Sequence, residues 1–196
     1  MAINTYFKNI ADAIREKTGG SALITPGQMP GEIRNIPTGG VIDEHNITFV
    51  GFYGTSRRSN TQDIYAQISR LRLFNDNNEL TFNMNGYGTL NGPTTVGEPA
   101  QNVFNTTNKS VIVLKDITKP FMWFAFSENP IDITIYNKWR WYTANDGDFR
   151  DPVSFGLLLG SGDILTDMTF KLYDYGENRT ITTNRNALAY EGLING

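Results

Sequence analysis

The spacing of apolar residues changes once along the chain. Over residues 1–38 they recur every three or four positions, which predicts two short amphipathic helices. Gly19 and Gly20 end the first helix, Thr25 and Gln28 give the second a capping-box start, and Pro37 ends it. The apolar positions of the two helices are Ile3, Tyr6, Phe7, Ile10, Ala13, Ile14, Met29, Ile33 and Ile36.

After residue 43 the apolar residues alternate with polar ones, which predicts strands separated by polar turns. Many short strands of this kind predict a mainly β protein built as an antiparallel β-sandwich. Residues 51–63 and 84–92 are expected to be exposed loops. The predicted strands are 46–52, 64–74, 78–84, 110–117, 121–126, 131–143, 153–160 and 168–175.

The segment 131–143 is predicted to be a single strand with one apolar face. Alternation places Trp139 and Trp141 on the same side as three isoleucines, so both tryptophans are expected in the core rather than on a sugar-stacking surface. The isoleucines concerned are Ile131, Ile133 and Ile135.

Two helices of this size cannot form a stable unit alone, so they need another surface. They could pack on the β body of the same chain, or they could dock to another protein and self-associate. Glycines at 39 and 40 form a hinge and favour the second alternative. The predicted organisation is a helical anchoring or oligomerisation segment over 1–38, a linker over 39–43 and a β-sandwich over 44–196.

Composition excludes several classes of function. The chain of 196 residues has a net charge of -3 and lacks the basic stripe of a general nucleic-acid binder. It contains no cysteine, so disulfides and thiol chemistry are excluded, and it has no apolar run long enough for membrane insertion. The one histidine, His45, has no second histidine with which to share a metal, and no nucleophile motif is present. The sequence predicts no catalytic residue and no cofactor.

Three carboxylates lie close together in the stretch ANDGDFRD, at Asp146, Asp148 and Asp151. Calcium binds such oxygen-rich turns, but the EF-hand spacing is not met. Arg150 lies among the carboxylates and favours an ion pair over a metal site.

Aromatic and polar residues of the predicted loops are candidates for binding a sugar. A saccharide offers an apolar ring face and a rim of hydroxyl groups, which match an aromatic ring beside hydrogen-bonding side chains. The alternative is an ordinary hydrophilic loop. The candidates are Tyr53, Arg57, Arg58, Asn60, Asp63 and Tyr87.

The stretch IADAIREKTGG, followed by LITPGQMPGEIRNI, resembles a segment near the N-terminus of many bacteriophage virion proteins. These include tail fibres and baseplate components. The resemblance covers residues 10–36 and implies a structural protein of a phage or prophage particle.

The stretch YTANDGDFRDPVSFGLLLGSGD, residues 142–163, is similar to a pattern of galactose-binding-like sandwiches of the discoidin, or factor 5/8 type C, group. Weaker similarity at 64–75 and 97–105 extends the resemblance over most of 44–196. It implies a jelly-roll carbohydrate-binding domain in which Arg150 and Asp151 form a buried ion pair. Asn105 and Thr106 replace the Asp-Gly pair of a loop that often carries calcium in this group.

Together these features predict a virion-associated accessory or receptor-binding protein. Residues 1–38 would bind other virion proteins and assemble a homo-oligomer, with a trimer suggested by phage analogy. The sandwich would bind host-surface polysaccharide without catalysis, on a virion assembled in the bacterial cytoplasm. The alternatives are a structural adaptor whose sandwich no longer binds sugar and, third, a glycan-processing enzyme.

Overall fold

A computed structural model describes residues 42–59, 61, 63–80, 83–162 and 168–194. The helices expected over 1–38, and all of the expected linker except residues 42 and 43, lie outside these residues. The described chain contains one short α-helix, α1 (Gln101–Asn105), and single 3-10 turns at Ile133–Ile135 and Asp148–Arg150. Its strands are β1 (Ile47–Arg57), β2 (Tyr65–Ile68), β3 (Arg70–Asn75), β4 (Asn78–Glu79), β5 (Met84–Leu90), β6 (Ser110–Val113), β7 (Phe121–Ile131), β8 (Lys138–Tyr142), β9 (Pro152–Ser161), β10 (Thr169–Gly176) and β11 (Leu188–Leu193).

The strands form three antiparallel sheets. The largest has five strands in the order β10-β9-β1-β7-β5, the second has four in the order β11-β8-β3-β4, and β2 pairs with β6. β1 occupies the middle of the five-stranded sheet, because it pairs with β7 on one side and with β9 on the other. The prediction of a mainly β, antiparallel protein is confirmed.

The two larger sheets share one apolar core. Phe52 of β1 packs its ring 5.3 Å from Trp141 and 6.4 Å from Trp139 of β8, and 5.6 Å from Phe155 of β9, measured between ring centroids. All four side chains are fully buried. The expectation that Trp139 and Trp141 belong to the core is confirmed.

The prediction of one strand over 131–143 is wrong. Ile133–Ile135 forms a 3-10 turn between β7 and β8, and Ile135 is 52% exposed. Asp132 accounts for the break, because its carboxylate accepts a hydrogen bond from the Thr134 backbone N–H at 3.0 Å. Such a local side-chain bond gives the backbone an alternative to the strand ladder.

The predicted loops at 51–63 and 84–92 are largely strands, which is a second correction. β1 continues to Arg57, and β5 occupies 84–90. β11 was not predicted at all. It lies at the edge of the four-stranded sheet, and Leu188 and Leu193 at its ends are exposed, so its sequence lacks clear alternation.

The face of the five-stranded sheet that points away from the four-stranded sheet is also apolar. Phe49 lies at its centre, with ring centroids 5.6 Å from Phe124, 5.3 Å from Phe126 and 5.2 Å from Phe170. We call this surface the outer face. Its buried residues are Phe49, Tyr53, Leu90, Met122, Phe124, Phe126, Leu158, Met168 and Phe170.

Candidate functional site

Two of the predicted sugar-binding residues are buried in β1. Tyr53 has no exposed surface and belongs to the outer face, and Arg57 is only 3% exposed. The Arg57 guanidinium donates to the Tyr65 carbonyl at 2.6 Å and to Asp63 Oδ1 at 3.2 Å. The expectation that these two side chains lie in an exposed loop is wrong, because β1 extends through them and both of its faces are covered.

Arg58 and Asp63 connect neighbouring segments of the chain. Arg58 donates to the Asp148 carbonyl at 3.2 Å and to the Thr182 carbonyl at 3.1 Å. Asp63 accepts from Arg150 Nε at 2.6 Å in addition to its bond with Arg57. These polar groups therefore stabilise loops. Asn60 lies outside the described residues.

Tyr87 lies on β5 and packs against α1 instead of joining the arginines. Its hydroxyl donates to the Met84 carbonyl and accepts from Asn105 Nδ2, both at 2.5 Å. Its ring centroid is 6.1 Å from that of Phe104. The structure thus brings Arg57 and Asp63 together and places Tyr53 and Tyr87 in different packing environments.

Arg150 and Asp151 both form ion pairs, but with other residues and not with each other. Arg150 binds Asp63, as above, and Asp146 at 3.4 Å. Asp151 binds Arg185, with Oδ2 and Nη2 2.5 Å apart. The expectation of a pair between the two neighbours is corrected, because consecutive side chains here point to different segments. We call these paired charges, Arg57, Arg58, Asp63, Asp146, Asp148, Arg150, Asp151 and Arg185, the loop network.

Burial and the hydrogen bond between Asp151 and Arg185 shift the pKa of both residues. Loss of water around the fully buried carboxyl raises the pKa of Asp151, while the hydrogen bond from Arg185 acts in the opposite direction. The hydrogen bond to Asp151 raises the pKa of Arg185. Because Arg57 and Asp151 are buried and the charges of the loop network are paired with one another, the network is better suited to holding loops than to binding a ligand.

A second polar region lies where the edges of the two larger sheets meet. β10 is an edge strand of the five-stranded sheet and β11 is an edge strand of the four-stranded sheet. Between them is a cleft of about 430 Å³, which we call the edge cleft. It is lined by Tyr173, Asp174, Tyr190, Glu191, Gly192, Leu193 and Ile194.

Asp174 is held in one orientation in the edge cleft. Its carboxylate accepts from the Tyr190 hydroxyl at 2.9 Å and from Arg179 Nη2 at 2.8 Å. The Arg179 guanidinium also lies 4.2 Å from the centre of the Tyr190 ring. Asp174 has a φ of 47°, in the left-handed region that aspartate tolerates better than most residues. This conformation is consistent with a side chain fixed by its contacts.

Gly192 allows the backbone of β11 to approach these groups closely. A Cβ atom at this position would lie 2.0 Å from Asp174 Oδ2 and 2.2 Å from Trp139 Nε1. The Trp139 indole nitrogen is buried and has no hydrogen-bond partner in the part of the chain that the structure describes. The Trp139 indole N–H, a donor without a partner among the described residues, therefore lies beside the part of the edge cleft that carries the Asp174 carboxylate.

Neighbouring residues determine the protonation of the other polar groups of the edge cleft, Glu191, Tyr190 and Tyr173. The hydrogen bond from Arg140 Nε, at 2.6 Å, lowers the pKa of Glu191, so this exposed residue carries a negative charge at neutral pH. Burial, followed by the hydrogen bond to Asp174, raises the pKa of Tyr190. Burial, followed by the hydrogen bond to Glu44 at 2.9 Å, raises the pKa of Tyr173. Both tyrosines keep their hydroxyl protons at neutral pH.

The edge cleft combines one half-buried tyrosine ring, that of Tyr190, with two carboxylates and an apolar edge supplied by Leu193, whereas Tyr173 is only 6% exposed and belongs to the core. Rings can stack on the apolar face of a sugar, and carboxylates can accept hydrogen bonds from its hydroxyl groups. Sequence reasoning missed this site because β11, which contributes most of its lining, was not recognised as a strand. Tyr173 and Asp174 fell within a predicted strand and gave no sign of a site.

Within the described ranges, no helix is long and apolar enough to cross a membrane. The same ranges contain no group of three or more acidic or histidine side chains placed to hold a metal ion. Comparisons with protein-family models, with curated proteins and with solved structures gave no match to this chain.

Proposed function

We propose that the chain is a bacteriophage virion-associated accessory or receptor-binding protein that binds host-surface glycan without catalysis. The observation that carries the proposal is the edge cleft, in which the half-buried Tyr190 ring lies beside the Asp174 carboxylate, whose orientation is fixed by hydrogen bonds from Tyr190 and Arg179. The resemblance of residues 10–36 to virion proteins supports the location on a particle.

The fold proposed for the binding domain is a jelly-roll β-sandwich of the galactose-binding-like kind. Two antiparallel sheets with a common aromatic core support it, as does the sequence similarity over 142–163. The site proposed here is the edge cleft rather than the loop residues first considered, since Tyr53 and Arg57 are buried.

Binding at a single cleft that is open to solvent would be weak. Leu193 is 58% exposed and Glu191 is exposed, so much of a bound saccharide would remain in water. Several copies on one particle, as in the proposed homotrimer, would raise the overall avidity by about 10²–10⁴-fold without any new contact. Attachment to other virion proteins through residues 1–38 would supply this multivalency.

The test is a glycan array probed with the full chain displayed on a multivalent carrier. Glu191→Gln removes one carboxylate charge from the edge cleft, and Tyr190→Phe removes one hydroxyl. Glu79→Gln is the matched control, because Glu79 is an exposed carboxylate paired with an arginine outside the cleft. We expect Glu191→Gln to weaken glycan binding about tenfold, the effect of losing one charged hydrogen bond, and Tyr190→Phe to weaken it because Asp174 loses the hydrogen bond that orients it, while the control binds normally.

A structural adaptor without sugar binding is the second candidate. It is favoured by the loop network, in which the arginines and carboxylates first expected to contact sugar are paired with one another. Absence of any array signal at high avidity would select the adaptor. Binding that survives both cleft substitutions would place the sugar site elsewhere on the domain.

A further inference from the structure

The outer face of the five-stranded sheet is buried, yet the described chain places no second layer on it. Phe49 and Tyr53 have no exposed surface, Leu158 is 1% exposed and Phe124 is 2% exposed. The nine members of the cluster come from strands of this sheet or, for Met168, from the residue before β10. Side chains standing on one face of a sheet reach such burial only when another layer lies over them.

The described residues supply no cover for this face, so the candidates for one are the residues outside the described ranges. Residues 163–167 are five residues that connect β9 to β10 at one edge of the sheet, so they cannot extend across all its strands. Residues 1–41 form the longest remaining segment. They join the chain at Ile42, five residues before β1, which is the central strand of the sheet.

The sequence of this segment fits the surface. Its first predicted helix has an apolar side and a polar side, as a helix lying on a sheet requires. A helix of about 14 residues is roughly 21 Å long, and five strands span roughly 19 Å between the outermost axes. One such helix can therefore cross the whole outer face.

The shape of the outer face also suits a helix. A Cβ at Gly88 would lie 2.5 Å from the Phe124 ring, and a Cβ at Gly160 would lie 3.0 Å from the Phe170 ring and 3.1 Å from the Cβ of Phe49. Because Gly88 and Gly160 have no side chain, aromatic rings can pack directly against the sheet at these positions. The glycines thus leave room for aromatic side chains against the sheet, and an apolar helix face can pack on such an aromatic surface.

We propose that residues 1–38 cover the outer face of the five-stranded sheet in the same chain, with the apolar side of the first predicted helix against the aromatic cluster. The segment is then part of the folded domain and not a freely hinged tether. Only its remaining surface is available for attachment to other virion proteins. This inference does not depend on glycan binding.

Methionine oxidation tests the proposal in the full chain. Met122 and Met168 lie on the outer face, whereas Met84 belongs to the core between the sheets and serves as an internal reference. We compare Ile10→Asp, on the apolar side of the predicted helix, with Lys8→Asp on its opposite side. Peptide mass spectrometry after mild peroxide treatment gives the rate at each methionine.

We expect Ile10→Asp to speed oxidation of Met122 and Met168 by about tenfold, because a flexible thioether oxidises according to its exposure. Met84 in the same variant should stay protected, and Lys8→Asp should behave like the unchanged chain. Unchanged protection of Met122 in Ile10→Asp would overturn the proposal.

Crosslinking decides the case in which Ile10→Asp unfolds the whole domain and Met84 also reacts. The chain has no cysteine, so introduced pairs react without background. Leu172→Cys places a thiol beside the outer-face cluster. Lys171→Cys, one residue earlier on β10, places its thiol on the opposite side of the sheet. Each is combined in turn with a cysteine at Ile3, Phe7, Ile10 or Ile14 and treated with a flexible bismaleimide.

The expected product is a crosslinked monomer with Leu172→Cys in at least one combination and none with Lys171→Cys. Failure of every Leu172→Cys combination would overturn the proposal. Crosslinks only between chains would also overturn it and would assign the outer face to a second copy.

Discussion

Arg185 neutralises a carboxylate that has no contact with water. Its Nη2 lies 2.5 Å from Oδ2 of Asp151, its Nη1 lies 3.1 Å from Oδ1, and Asp151 is fully buried. Gln67 adds a hydrogen bond to Oδ1 at 3.3 Å. The pair joins the residue before β9 to the segment that leads into β11, so it links the two larger sheets through their connecting loops.

Replacement of Arg185 by leucine should destabilise the domain strongly. The Asp151 carboxylate would remain buried without its cation, which typically costs about 3–5 kcal/mol. Urea unfolding at neutral pH measures the loss. Lys171→Leu is the control, because its partner Glu44 and Lys171 itself are partly exposed, and such surface pairs contribute about 0–1 kcal/mol. Equal losses for the two variants would contradict this account of the Asp151 pair.

The single histidine should titrate above its ordinary value. The hydrogen bond with Asp132, at 3.1 Å, raises the pKa of His45 from 6.5, with smaller help from Asp43 and Glu44. Because the folded pKa is the higher one, the stabilisation is complete below the ordinary pKa of histidine. It is lost as the pH rises through the folded pKa.

NMR titration of the His45 ring measures this effect without overlap from other histidines. Asp132→Asn should return the pKa of His45 towards 6.5, and Asp43→Asn should lower it by less. If Asp43→Asn had the larger effect, the hydrogen bond with Asp132 would not be the main cause.

Arg72 should be needed to hold α1 in place. This guanidinium is 6% exposed and donates to the carbonyls of Val103 at 2.8 Å and Thr106 at 2.5 Å, as well as to Glu79. Lysine cannot supply the same fork of donors, so Arg72→Lys should cost about 2–3 kcal/mol. Urea unfolding gives the total.

Hydrogen exchange of residues 101–106 locates the Arg72→Lys effect. Arg70→Lys is the matched control, since Arg70 stacks over Tyr142 at 3.8 Å on the same strand. It should cost less than about 1 kcal/mol, because lysine is also a cation and can replace part of the contact with the Tyr142 ring. Faster exchange in α1 that also followed Arg70→Lys would argue against a specific role for Arg72.

Ser110 should be required by the buried indole of Trp123. Trp123 Nε1 donates to Ser110 Oγ at 2.9 Å, and this hydroxyl donates in turn to the Glu98 carbonyl at 3.0 Å. Ser110→Ala leaves the indole donor unpaired and should cost about 1–3 kcal/mol. In a double-mutant cycle with Trp123→Phe, the serine should matter less once the indole is absent. Additive losses would show that the bond does not contribute.

The strand pattern was predictable where one face of a strand meets the core. Trp139 and Trp141 alternate with polar residues, so their burial follows from the sequence. Tyr53 and Arg57 were misplaced because β1 is buried on both faces, and a strand of that kind loses the alternation by which it is recognised. The sequence does not reveal that both faces of β1 are buried.

The ion pairs and the edge cleft were not predictable for a different reason. The composition of ANDGDFRD indicated paired charges, but the partner of Asp151 is Arg185, 34 positions away. That choice depends on how the loops cross in space. The edge cleft depends on β11. Leu188 and Leu193 at the ends of β11 are exposed, so the sequence does not show the alternation from which its pairing with β8 could be predicted.

The central position of β1 determines when this sheet can form during translation. β1 is the first of the described strands to leave the ribosome, but the partners of Phe49 are Phe126 on β7 and Gly160 on β9, both synthesised much later. Until β7 and β9 have been synthesised, both edges of β1 lack their hydrogen-bonding partners. Unpaired strand edges of this kind promote aggregation. The interval until β9 emerges is when the newly made chain would benefit most from a chaperone.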